Sequence, residues 1–103
     1  MKSSIQLVAT LAALLLSPNV FANAELAMKK NCMACHAVDK KLVGPAYKAV
    51  AAKYVSDKDA VNRLAEKIIK GGSGVWGPVP MPANAQVNPA DAKLLAQWIL
   101  TVK

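Results

Sequence analysis

Apolar residues recur along this chain with two different rhythms. Residues 7–16 form one short apolar block, whereas beyond residue 24 the apolar positions fall at helical spacing. A short helix is predicted over residues 25–31, carrying Leu26 and Met28, with acidic Glu25 suited to its N-terminal end. Tyr47, Val50, Ala51 and Tyr54 repeat at i, i+3, i+4 and i+7, which predicts a second helix from Pro45, a favoured first helical residue, to about Tyr54. A third helix follows the cap signals Ser56 and Asp57. It sets Val61, Leu64, Ala65 and Ile68 on one face and stops at Gly71 and Gly72. The fourth opens at Asn88 and Pro89, with Asp91 completing a box-like start, and buries Leu95, Trp98, Ile99 and Val102 with Leu94 beside them. No stretch alternates as a strand does, so the fold class expected is all-α, about four helices without repeats or linkers.

The first apolar block changes the picture of where the domain starts. Lys2 precedes it, Ser17 and Pro18 break it, and small residues around Ala22 and Ala24 follow, which is the layout of a secretory signal peptide. The block is too short to span a bilayer, which argues against the alternative of an uncleaved anchor. Cleavage is expected after Ala22, with Ala24 as the alternative. That assigns 1–22 to the signal segment and 23–103 to a single small domain of an exported protein. Such a chain is marginal by its own apolar burial, so a large apolar prosthetic group would help to close its core.

Charge excludes one class of partner and suggests another. Without Lys2 the chain keeps 12 basic against 6 acidic residues, about +6. No arginine cluster interleaves with aromatics, so nucleic acid is not an expected partner. The lysines either solvate the surface or steer an acidic redox protein.

The candidate chemistry sits in Cys32-Met33-Ala34-Cys35-His36. Two cysteines three apart followed directly by histidine are what covalent c-type haem attachment requires, with the thiols taking up the vinyl groups and the imidazole reaching the iron. A disulfide or a redox dithiol would also use such a pair, but the dithiol belongs beside a βαβ pattern that is missing here. Zinc wants four ligands, and the chain has two cysteines and one histidine in all.

The long Gly- and Pro-rich segment 71–87 is the other candidate. An ordered loop of this length in a small domain usually has a function. A haem bound by His36 needs a second axial ligand in an electron carrier, and a thioether raises the reduction potential. Met81, between Pro80 and Pro82, is the choice. Met33 lies between the attached cysteines, and Met28 is expected to pack in the core on the proximal side. With no second histidine to serve as distal acid or base, an electron carrier is favoured over a haem enzyme or gas sensor with an open sixth position. A third possibility is a protein that never receives haem and keeps a Cys32–Cys35 disulfide.

Residues 25–103 resemble the small bacterial class I monohaem cytochromes c of the c-551/c-552 type. The resemblance rests on the Cys32 motif, on Val43-Gly44-Pro45-Ala46-Tyr47, on Gly74-Val75-Trp76-Gly77-Pro78-Val79-Pro80-Met81-Pro82, and on Trp98-Ile99-Leu100 in the last helix. It implies a four-helix fold around one covalently attached haem, with His36 and Met81 as axial ligands of the iron. It also implies a soluble monomeric carrier in the periplasm, not an enzyme. Such a carrier takes electrons from a donor such as a cytochrome bc1 complex and passes them to a terminal oxidase, nitrite reductase or peroxidase. By matching position, the Pro45 carbonyl should orient the His36 imidazole, Trp76 should donate to a haem propionate, and Asn84 should pack against the Met81 sulfur. Lys67 takes a place near the propionates where relatives often carry arginine, and lysine lacks the planar fork. Ala83 stands where the family often has a second proline, which should leave the ligand loop less rigid.

Overall fold

The computed structural model describes residues 18–103, with side chains from Asn23 onward. The predicted signal segment therefore lies outside the described residues, apart from the backbone of residues 18–22. Four α-helices follow in order: α1 (Pro18–Lys29), α2 (Tyr47–Lys53), α3 (Ala60–Lys70) and α4 (Pro89–Ile99), with one turn of 3-10 helix at Cys32–Ala34 between the first two. Among the described residues there is no strand, only an isolated antiparallel bridge between Gly72 and Met81. No helix among them is long and apolar enough to cross a membrane.

α1 is described from Pro18, ahead of the predicted residue 25, and runs past both predicted cleavage positions. Glu25 is consequently mid-helix and exposed rather than near the positive end of the helix. The helix stops before residue 31 because Asn31 takes the left-handed conformation, φ 62°, which asparagine tolerates better than most residues. Met28 does not enter the core; it is 67% exposed, while Ala27 beside it is fully buried. Ala27 joins Ala92 and Ala96 of α4 in the core cluster, and these small side chains let α1 lie close on α4.

α4 is the central element, packed against α1, α2 and most extensively α3. Its start follows local rules: the Asn88 side chain accepts from the Asp91 N–H at 2.8 Å and Pro89 takes the first helical position. Leu95, Trp98 and Ile99 are buried as the periodicity predicts, but Ala92 and Ala96 complete the stripe, and Val102 lies beyond the helix end, half-buried. α3 buries Ala60, Leu64 and Ile68 against it, with Val61 and Ala65 at the margin. The third helix lacks the cap expected from Ser56. Instead Asp57 accepts from the Asp59 N–H at 2.8 Å and pairs with Arg63 at 3.0 Å, so the turn before the helix is tied to its first coil.

The second helix departs from expectation at its start. Pro45 is not its first residue; Ala46 is the extended residue before it, and Tyr47 begins it. The reason is tertiary. The Tyr47 and Lys48 N–H groups, which a helix leaves without internal partners, donate at 2.9 Å to the Ala37 and Val38 carbonyls of the preceding loop. The loop after the Cys motif thus caps α2 and leaves the Pro45 carbonyl available for another donor.

Candidate functional site

The turn at Cys32–Ala34 is short because Asn31 reverses the chain just before it. The Cys35 and His36 N–H groups both close on the Cys32 carbonyl, at 3.2 and 3.0 Å. Cys32 and Cys35 are half-buried free thiols on this turn. Burial pushes the Cys32 thiol up, partly offset by a hydrogen bond with Tyr47, and burial together with the neighbouring Cys32 holds the Tyr47 phenol above its usual range.

His36 is held from several directions. Its Nδ1 lies 2.8 Å from the Pro45 carbonyl oxygen. A carbonyl only accepts, so Nδ1 carries the proton and Nε2 keeps a free lone pair, the tautomer a metal ligand needs. The Tyr47 ring stacks on the imidazole with centroids 4.9 Å apart and an interplanar angle of 18°, and Tyr47 in turn meets Trp98 edge-on at 5.3 Å. Gly44 completes the confinement: a Cβ at that position would stand 2.5 Å from Cε1 and 2.8 Å from Nδ1. The Gly44 N–H is itself tied to the Cys35 carbonyl at 2.7 Å.

Met81 reaches the same cleft from the loop between α3 and α4. Gly72 and Met81 exchange both backbone hydrogen bonds, at 3.0 and 2.8 Å, which closes the segment between them into a loop. Gly71 ends α3 with φ 69°, and a Cβ there would collide with the Met81 carbonyl and the Pro82 backbone. Asn84 secures the far side. Its backbone N–H donates to Ile69 at 3.1 Å, and its side-chain Nδ2 donates to Ile68 at 2.8 Å and Pro82 at 3.4 Å. The Asn84 groups that donate thus reach backbone carbonyls at the end of α3 and in the loop, while its Oδ1 accepts from the Gln86 side chain at 3.2 Å and its carbonyl from the Val87 N–H at 3.0 Å.

Trp76 and Lys67 line the cleft as well. Trp76 is 43% exposed, with the Lys53 ammonium 5.6 Å from its ring centroid. The Lys67 ammonium reaches over Gly72, close enough to touch a Cβ placed there. Pro45 belongs to the site through its carbonyl. All eight candidate residues therefore gather at one place: seven line the cleft, and Pro45 supports His36 from behind. Sequence reasoning passed over the contacts of Gly44 and Gly71 and the stacking of Tyr47 on His36. Gly44 lies in a recognisable motif and Gly71 in a helix stop, but nothing in either names the group it would touch.

The donor set suits a flat apolar ring with a metal at its centre. The cleft is walled mainly by apolar side chains, among them Val50, Leu64, Ile68 and Leu95. It presents two thiols on one turn, an imidazole with a free lone pair, and a thioether. Among the described residues no three of His, Cys, Asp and Glu converge as a bare metal site would require.

Comparison with known proteins agrees with this geometry. The family model for cytochrome c matches residues 21–103. Cytochrome c-552 of Nitrosomonas europaea is 57% identical over 91 residues, 88% of each chain. Cytochrome c-552 of Hydrogenobacter thermophilus is 63% identical over 83 residues, 81% of this chain and 84% of the relative. The crystal structure of wild-type Nitrosomonas europaea cytochrome c552 superposes with a TM-score of 0.76 at 60% identity, covering 78% of this chain and 99% of that one. The class 1 cytochrome MtoD from Sideroxydans lithotrophicus ES-1 superposes at 0.69 with 36% identity, over 81% and 95%. Cys32 and Cys35 fit one covalently attached haem c, and as a small class I monohaem electron carrier this chain belongs to the cytochrome c family.

Proposed function

We propose that this protein is a soluble periplasmic carrier that passes single electrons to a respiratory or denitrification enzyme such as a terminal oxidase, nitrite reductase or peroxidase. A cytochrome bc1 complex is the kind of donor that suits it. In this reading residues 1–22 direct export and are removed, residues 23–103 act as one domain and a monomer, and no membrane anchor remains.

Cys32 and Cys35 would carry the thioether links to the haem, and His36 and Met81 would hold its iron. Haem held this way supplies a one-electron ferric/ferrous couple, and the thioether ligand favours the ferrous state. The protein's own part is to hold both ligands still. The Pro45 carbonyl fixes the imidazole tautomer, Tyr47 and Gly44 fix the ring plane, and the Gly72–Met81 bridge fixes the thioether. Trp76 and Lys67, on the same cleft, supply donors for the propionates, and Asn84 anchors the ligand loop to α3. The observation that carries the reading is the sharing of one cleft by an imidazole committed through Nδ1 and a thioether clamped through its backbone.

Intact mass spectrometry of the protein isolated from the periplasm tests it. The expected mass is that of residues 23–103 plus one haem, retained through acid–acetone extraction and lost in a variant with both cysteines changed to alanine. A haem-free chain carrying a Cys32–Cys35 disulfide, or a double variant that still holds haem, contradicts the reading.

A further inference from the structure

The loop between Gly72 and Met81 has a tip, and its hydrogen bonds leave that tip to itself. Gly74 and Gly77, with φ 102° and 115°, form a turn closed by the Gly74 N–H on the Gly77 carbonyl at 2.9 Å, and Val75 and Trp76 occupy the turn. The base of the loop is fixed by the Gly72–Met81 bridge and by Asn84 on α3. Among the described residues no hydrogen bond joins the tip to α2. The contact that does is Lys53, the last residue of α2, whose ammonium stands 5.6 Å from the Trp76 ring centroid, within cation–π range. A cation at a helix C-terminus is also favoured by the helix dipole, which keeps the Lys53 charge at that end of α2.

We propose that Lys53 is a positioning residue for the axial-ligand loop: its ammonium over Trp76 pins the loop tip to α2 and so limits how readily the Met81 side of the cleft opens. The proposal rests on Met81 being an axial ligand. The ring face receives the ammonium while its indole N–H edge stays free for another acceptor, so the two roles of Trp76 are compatible. Loss of the cation frees the tip without touching the bridge at the base. The Met81 sulfur is then released more often, and a small exogenous ligand finds the sixth position sooner.

The test uses the haem-loaded protein and imidazole as the probe. Lys53→Met keeps the length of the side chain and removes its charge, and Lys53→Arg keeps a cation that stacks on indole. Lys53→Met is expected to raise both the imidazole association rate and the amide hydrogen exchange of residues 75–77 by roughly two- to fivefold, the range of an exposed cation–π contact. Lys53→Arg is expected to restore both. Unchanged association in Lys53→Met, or an arginine variant as loose as the methionine one, overturns the proposal. Met81→Ala measured alongside separates the two claims. If it binds imidazole freely while Lys53→Met does not differ from the parent, only the Lys53 proposal fails; if Met81→Ala itself is unchanged, the ligand assignment fails.

Discussion

Gly72 and Met81 face each other across the start and end of the loop between α3 and α4 and exchange two backbone hydrogen bonds, 3.0 and 2.8 Å long. Two short bonds between residues nine positions apart make a closed ring of chain, so the thioether is delivered from a fixed base rather than from a wandering loop. The residue just before this bridge determines whether it forms.

Gly71 has φ 69° and ψ −161°, a region open essentially to glycine alone, and a side chain there meets the Met81 carbonyl. Gly71→Ala should destabilise the fold by about 1–3 kcal/mol from backbone strain, and more where the bridge is broken. Denaturant unfolding of the haem-loaded protein measures it. A change within about 0.5 kcal/mol, the range of ordinary surface substitutions, would show that the turn relaxes at no cost.

Gly44 and Pro45 touch His36 in different ways, and substitution separates them. Gly44→Ala forces a methyl against Cε1 and Nδ1 and must move the imidazole, so a loss of about 1–3 kcal/mol and a perturbed haem spectrum are expected. Pro45→Ala keeps the accepting carbonyl and gives up mainly rigidity of the unfolded chain, about 0.4–1 kcal/mol. Equal effects from the two, read by thermal unfolding and visible absorption, would contradict this account of the proximal side.

Much of the fold was legible because its signals are local. Asn88, Pro89 and Asp91 mark the start of α4 within four residues, and the Tyr47, Val50 and Ala51 face of α2 follows from spacing alone. What escaped depends on partners distant in sequence. Pro45 reads as a first helical residue until the Ala37 and Val38 carbonyls are seen capping α2. Met28 reads as core until α1 rotates the smaller Ala27 onto α4, where Ala92 and Ala96 leave room only for close approach. At the site, the Cys motif names its own chemistry, and elimination among the methionines together with the flanking prolines points to Met81. The walls of the cleft are not legible: a glycine in a sequence does not show which ring or carbonyl fills the space its side chain would need.

Lys29 and Lys40 are exposed and lie on either side of the Cys motif, in the more basic half of the chain. A lysine-bearing rim there would orient an acidic acceptor through a field that acts over about 8 Å at physiological salt. Electron transfer to the acceptor should slow as ionic strength rises, and charge reversal at Lys29 or Lys40 should slow it further with the reduction potential nearly unchanged. Stopped-flow rates that stay flat or rise with salt would assign these lysines to solvation and docking to an apolar surface.

The central claim is that Met81 is the sixth ligand of an otherwise closed site, and replacing that one side chain tests it most directly. Met81→Ala keeps the backbone bridge to Gly72 and removes only the thioether. Potentiometric titration together with cyanide binding to the ferric protein should then give a lower reduction potential and far faster, tighter cyanide binding than in the parent. A variant with the parent's potential and the parent's resistance to cyanide would contradict the account.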